Sequence, residues 1–171
     1  PDDGDTRHIG RTAFNTMEPG CRYRRSSRHV AIMYDSSVRE HKTLRVLLYS
    51  DDSEVRNSVK TALGKRPHPD LPACEFVECA TEPVVWQQLD SGDIDIAILD
   101  GEAAPAGGMG IARQLKDEIF QSPPVLLLTA RPQDAWLATW SRAEAVVPHP
   151  LDPFRLADVF IDLAKSSLQA S

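Results

Sequence analysis

Ile94-Asp95-Ile96-Ala97-Ile98-Leu99-Asp100 is the stretch that decides how this chain folds. Ser91-Gly92-Asp93 precedes it and Gly101 follows it, so a short apolar run is bounded by turn residues on both sides. A run of this length, broken only by Asp95, predicts a strand over residues 94–99 that is covered on both faces and ends at Asp100. Strands buried on both faces belong to parallel sheets. The same grammar recurs on either side. Residues 44–49 (Leu-Arg-Val-Leu-Leu-Tyr), 74–79, 124–128 and 145–147 read as four further strands. Between them lie helical patterns. Val55, Val59, Ala62 and Leu63 share one face, with Asp52 or Ser53 as the cap and Lys65-Arg66-Pro67 as the stop. Thr81 and Pro83 open a second helix that carries Val84, Val85 and Leu89. A helix over 109–120 turns Met109, Ala112, Leu115 and Ile119 inward. Another over 132–142 bears Trp136, Leu137 and Trp140, and Pro153 opens a last one with Phe160, Ala164 and Leu168. Five strand-then-helix units with right-handed crossovers predict a doubly wound α/β domain, with its working site at the carboxyl ends of the strands.

Composition sets limits around this reading. The chain has 171 residues, 42% of them hydrophobic and 26% charged, which suits one domain with a substantial core. No apolar stretch approaches the roughly 18 residues that a membrane-spanning helix needs, and the first residues lack the apolar core of a signal peptide. A cytoplasmic location is the expectation. Cys21, Cys74 and Cys79 are too few and odd in number for a disulfide scaffold, and the scattered histidines pair with no cysteine at metal-ligand spacing. The net charge is −6. Residues 1–43 hold eight basic and six acidic side chains, a net of +2, which leaves −8 on residues 44–171. So acidic a body repels a phosphate backbone, and no nucleic-acid partner is expected. Residues 1–43 are rich in Gly, Pro, Arg and Ser and thin in apolar side chains, so they cannot build a core alone. They read as an irregular basic extension that anchors a partner, with Arg22, Arg24 and Arg25 as contact residues.

The polar residues at the strand ends are Ser50, Asp51 and Asp52 after the first strand, Asp100 after the third, Thr129 after the fourth and His149 after the fifth. Two readings stand side by side. Acidic strand ends can cap helices and keep loops wet. Converging carboxylates can also hold Mg²⁺, a hard cation that takes oxygen ligands, beside an aspartate that attacks a phosphoryl group. Gly107, Gly108 and Gly110 lack a following Lys-Ser/Thr, so no nucleotide loop is read here. Trp136 and Trp140, four residues apart, share a helix face and serve either the core or a partner.

Residues 44–168 resemble the receiver domain of two-component response regulators, a CheY-like or flavodoxin-like fold with strand order 2-1-3-4-5. The stretches that carry the resemblance are residues 45–52, Ile96-Ala97-Ile98-Leu99-Asp100, Leu126-Leu127-Leu128-Thr129-Ala130 and Val147-Pro148-His149-Pro150. It implies Asp100 as phosphoacceptor, Thr129 and His149 as phosphoryl-contacting residues, and Mg²⁺ held by Asp51, Asp100 and the carbonyl of Glu102. It also implies a cis peptide at Pro150. The departures are as informative. Aligned without a gap through Val55-Arg56, Ser50 stands where the family has its first acid. With a gap, Asp51-Asp52 becomes the acidic pair. His149 replaces a lysine, which removes a fixed positive charge on a long stem. Val146 replaces an aromatic ring that switches between two positions.

Residues 101–116 and 123–150 further resemble a narrower group, the orphan receiver-like proteins of mycobacteria encoded beside the respiratory NADH:quinone oxidoreductase (complex I). That likeness implies a non-catalytic accessory or regulatory subunit acting through protein contacts, held peripherally at the inner (plasma) membrane by a large respiratory complex. The alternative is a phosphorylatable single-domain response regulator served by a sensor kinase.

Overall fold

The computed structural model describes residues 43–170 of the chain. Arg22, Arg24 and Arg25 lie outside the described residues, as does nearly all of the extension expected over 1–43. Five strands form one parallel sheet: β1 (Thr43–Tyr49), β2 (Ala73–Cys79), β3 (Ile96–Asp100), β4 (Val125–Thr129) and β5 (Ala145–Pro148). Their order is β2-β1-β3-β4-β5, as expected. The helices are α1 (Ser53–Leu63), α2 (Glu82–Asp90), α3 (Gly108–Glu118), α4 (Trp136–Ser141) and α5 (Pro153–Ala170), with a 3₁₀ turn at Pro132–Ala135 before α4.

Side chains alternate across a strand, so each strand feeds two cores. Leu44, Val46, Leu48, Ile96, Ile98, Leu126, Leu128 and Val147 face α1 and α5, where Val59, Leu63, Leu156 and Phe160 meet them. Leu47, Tyr49, Ala97, Leu99, Val125 and Leu127 face α2 and α3, where Val85, Leu89, Ile111, Ala112 and Leu115 close the layer. Each residue of β3 and β4 is buried, which is the burial that their unbroken apolar runs predict. β2 is an edge strand and departs from that pattern, with Glu75 and Glu78 turned outward.

Several boundaries differ from the sequence reading. β3 begins at Ile96 rather than Ile94, and Asp95 instead folds its carboxylate onto the Arg45 backbone N–H at 2.8 Å. α3 runs Gly108–Glu118, and its inward residues are Gly108, Ile111, Ala112 and Leu115 at i, i+3, i+4 and i+7. Met109 and Ile119 are therefore only partly buried, and Phe120 is 99% exposed beyond the helix end. The continuous helix expected over 132–142 divides into the 3₁₀ turn and a six-residue α4, because Asp134 N–H bonds three residues back to the Arg131 carbonyl. Asp52 caps α1, accepting the Glu54 N–H at 2.7 Å. Gly64, at φ +60°, ends it in a conformation that glycine adopts without penalty. Thr81 sits at the N-cap of α2 but makes no side-chain capping bond.

Candidate functional site at the carboxyl ends of the strands

The parallel register brings the strand ends into one row. Tyr49 pairs with Leu99, Asp100 with Leu128, and Thr129 with Pro148, so residues 50, 100, 129 and 149 all emerge at the same edge of the sheet. Asp100 is 3% exposed. Its two carboxylate oxygens have different partners. Oδ2 accepts the Ser50 hydroxyl at 2.7 Å, and Oδ1 accepts the Glu102 backbone N–H at 3.0 Å. Both donors are neutral. Ser50 is wholly buried, while Asp51 and Glu102 are exposed beside it.

Thr129 ends β4 fully buried, and its hydroxyl donates to the Arg131 carbonyl at 3.3 Å. The Thr129 carbonyl accepts the His149 N–H at 2.7 Å, which fixes the start of the β5–α5 connection. The His149–Pro150 bond is cis, as the resemblance implies, and so is Ala104–Pro105.

The loop after Asp100 lies against β3 with little clearance. A Cβ on Gly108 would stand 2.6 Å from the Asp100 carbonyl oxygen. One on Gly101 would meet the Leu128 carbonyl oxygen at 2.8 Å, and one on Gly107 the Gly101 carbonyl oxygen at 2.8 Å. Three glycines therefore allow the close approach that delivers the Glu102 N–H to Asp100. Tyr49 holds the far side of this loop, donating its hydroxyl to the Ala106 carbonyl at 2.6 Å. Burial raises the Tyr49 phenol above its ordinary value, and the negative charges of Asp51, Glu82 and Asp100 raise it further.

Sequence reasoning missed three supports of the site. Tyr49 reads as one more apolar strand residue. Ser50 reads as the loss of an acid, yet it is a direct partner of Asp100. Arg56 was passed over altogether. Its Nη1 donates to the Ser50 carbonyl at 2.5 Å and the Asp51 carbonyl at 3.3 Å, while its Nε pairs with Glu78 at 3.2 Å. A cation so near a helix N-terminus runs against the macrodipole, and that was the available signal. Lys60 also reaches Glu78, at 2.6 Å, and this hydrogen bond is the main reason the Glu78 carboxyl titrates below its ordinary value.

The resemblance names the carboxylates of Asp51 and Asp100 and the carbonyl of Glu102 as the oxygen donors for a cation. That chemistry fits Mg²⁺, which keeps several waters and needs only one or two carboxylates. Among the described residues no group of three or more His, Cys, Asp or Glu is placed to hold a metal by side chains alone. Trp136 and Trp140 are 64% and 50% exposed. The core alternative for that pair is thereby corrected: both rings stand largely in solvent, and neither joins the packed side chains on the sheet.

A doubly wound sheet of this order is the CheY-like or flavodoxin-like fold, here with a buried aspartate at the end of β3. Solved structures agree on the fold. The receiver domain of a Francisella response regulator superposes with a TM-score of 0.62 at 15% identity, covering 72% of this chain and 98% of that one. A chemotaxis response regulator of Vibrio cholerae gives 0.60 at 17% identity, covering 71% and 98%. No protein-family model matches the chain. Two relatives from Mycobacterium tuberculosis strains, each described as an uncharacterized response regulatory protein, are 58% identical over 134 residues, covering 78% of this chain and 98% of theirs. The chain belongs to the response regulatory protein family.

Proposed function

We propose that this chain is a response-regulator receiver that accepts a phosphoryl group on Asp100 and passes the signal on through protein contacts. The observation that carries the reading is the Asp100 carboxylate itself, buried at the end of β3 with one hydrogen bond on each oxygen. In the transfer, a carboxylate oxygen of Asp100 forms a bond to phosphorus. The bond from phosphorus to the donor's leaving group breaks, and its electron pair departs with that group. Thr129 would contact the phosphoryl oxygens, and Asp51, Asp100 and the Glu102 carbonyl would hold Mg²⁺, which supplies charge neutralisation when bound. His149 supplies no fixed cation in place of lysine, so the transfer is slow. A sensor kinase is the natural phosphoryl donor. With acetyl phosphate and Mg²⁺, intact-mass measurement should show one phosphoryl group on the wild type and none on Asp100→Ala. An unlabelled wild type, or a labelled variant, would contradict the reading.

A finer reading concerns the partner. The likeness of residues 101–116 and 123–150 to mycobacterial orphan receiver-like proteins supports an accessory role on respiratory complex I. In that reading the basic residues 1–43, Arg22, Arg24 and Arg25 among them, serve as anchor, and residues 44–171 form the receiver body. The exposed Trp136 and Trp140 offer aromatic anchors of the kind that dominate protein interfaces. No helix among the described residues is long and apolar enough to cross a membrane, so attachment to the inner (plasma) membrane would run through a protein. Affinity purification tests this: the chain should travel with the complex at fixed stoichiometry, and recovery of the chain free of it would count against the role.

A further inference from the structure

Ser50 uses every polar atom it has. Its N–H donates to the Cys79 carbonyl of β2 at 3.3 Å, and its carbonyl accepts the Arg56 guanidinium. Its hydroxyl donates to Asp100 Oδ2 at 2.7 Å and accepts the Asp52 N–H at 3.1 Å. Asp52 in turn caps α1 through the Glu54 N–H. An unbroken line of hydrogen bonds therefore joins the Asp100 carboxylate to the first turn of α1, and it passes through a side chain with no access to water.

We propose that Ser50 is the positioning residue of this site, fixing Asp100 through Oδ2 and coupling the chemical state of Asp100 to the first turn of α1. The inference rests on the reading of Asp100 as phosphoacceptor. A hydrogen bond to a carboxylate is roughly twice as strong as one between neutral groups. Forming the acyl phosphate turns one carboxylate oxygen of Asp100 into the bridging oxygen and leaves the other a neutral carbonyl, so the negative charge now sits on the phosphoryl oxygens. A buried hydroxyl cannot leave its donor unmet without penalty, so it follows the charge. The Asp52 N–H, which donates to the same oxygen, moves with it.

Amide correlation spectra of the full chain test the coupling without any phosphoryl group. Asp100→Ala should shift the Asp52 and Glu54 amides when Ser50 is present, and leave them in place in the Ser50→Ala background. Equal displacement in both backgrounds overturns the proposal. Labelling with acetyl phosphate tests the positioning. Ser50→Ala should lower the maximal rate about tenfold, with the acetyl phosphate concentration at half-maximal rate unchanged. Where both proteins are labelled, equal maximal rates overturn the proposal. If neither protein is labelled while the amide effect still requires Ser50, the Ser50 coupling stands and the phosphoacceptor reading falls.

Discussion

Asp100 is a buried anion whose two hydrogen bonds come from a hydroxyl and a backbone N–H, both neutral donors. Holding one negative charge in this way is feasible, but a phosphoryl group brings more. A preorganised donor or cation aimed at developing charge is commonly the largest single contribution to such a transfer. Tyr49 is the other residue on which the site leans. Tyr49→Phe keeps the ring and removes the bond to the Ala106 carbonyl, so unfolding in urea should show a loss of about 1 kcal/mol. At this scale the sequence was half legible. Asp100, Asp51 and Thr129 could be placed from strand ends alone. The partners of Asp100 could not, because Ser50 and the Glu102 N–H reach it across 50 residues and across a turn, and neither bond leaves a pattern in the sequence.

Among the elements, the strands were the easiest to read, since β3 and β4 are buried on both faces and contain nothing but apolar residues before their polar ends. The α4 region was the hardest. Its six residues are too few for periodicity to separate a helix from a 3₁₀ turn, and the structure uses both. The β3–α3 loop illustrates a signal that is visible in the sequence but whose cause is not. In the sequence Gly107 and Gly108 say only that no nucleotide loop is present, whereas the structure shows that a Cβ on Gly108 would stand 2.6 Å from the Asp100 carbonyl oxygen. Gly108→Ala places a Cβ 2.6 Å from that oxygen, which is backbone and cannot swing aside. The expected result is a destabilisation of about 1–3 kcal/mol by urea unfolding, with slower labelling of Asp100 because the Glu102 N–H is displaced.

Across residues 43–170, helices cover both faces of one sheet, and the surface of that unit carries what the core does not need. Trp136 is one such residue. Because it is 64% exposed, Trp136→Ala should change the unfolding free energy by less than about 0.5 kcal/mol, while weakening any partner that docks on α4. A pull-down beside a urea titration separates the two effects. The core has its own pH signature. Burial pushes the thiols of Cys74 and Cys79 up from 9.0 to about 11. In the unfolded chain they ionise first as pH rises past 9.0, so the stability they contribute is complete below that pH and is lost as pH rises through about 11. The urea midpoint should fall across that window, and iodoacetamide should leave both thiols unmodified at pH 8 until the chain unfolds.

The central claim is that this is a receiver pocket short of one fixed cation. The direct measurement is the time course of Asp100 labelling by acetyl phosphate in the wild type and in His149→Lys, followed by intact mass. The account predicts slow labelling of Asp100 in the wild type and labelling about tenfold faster in the variant. Equal rates in the two proteins, or no label on Asp100 in either, would contradict it.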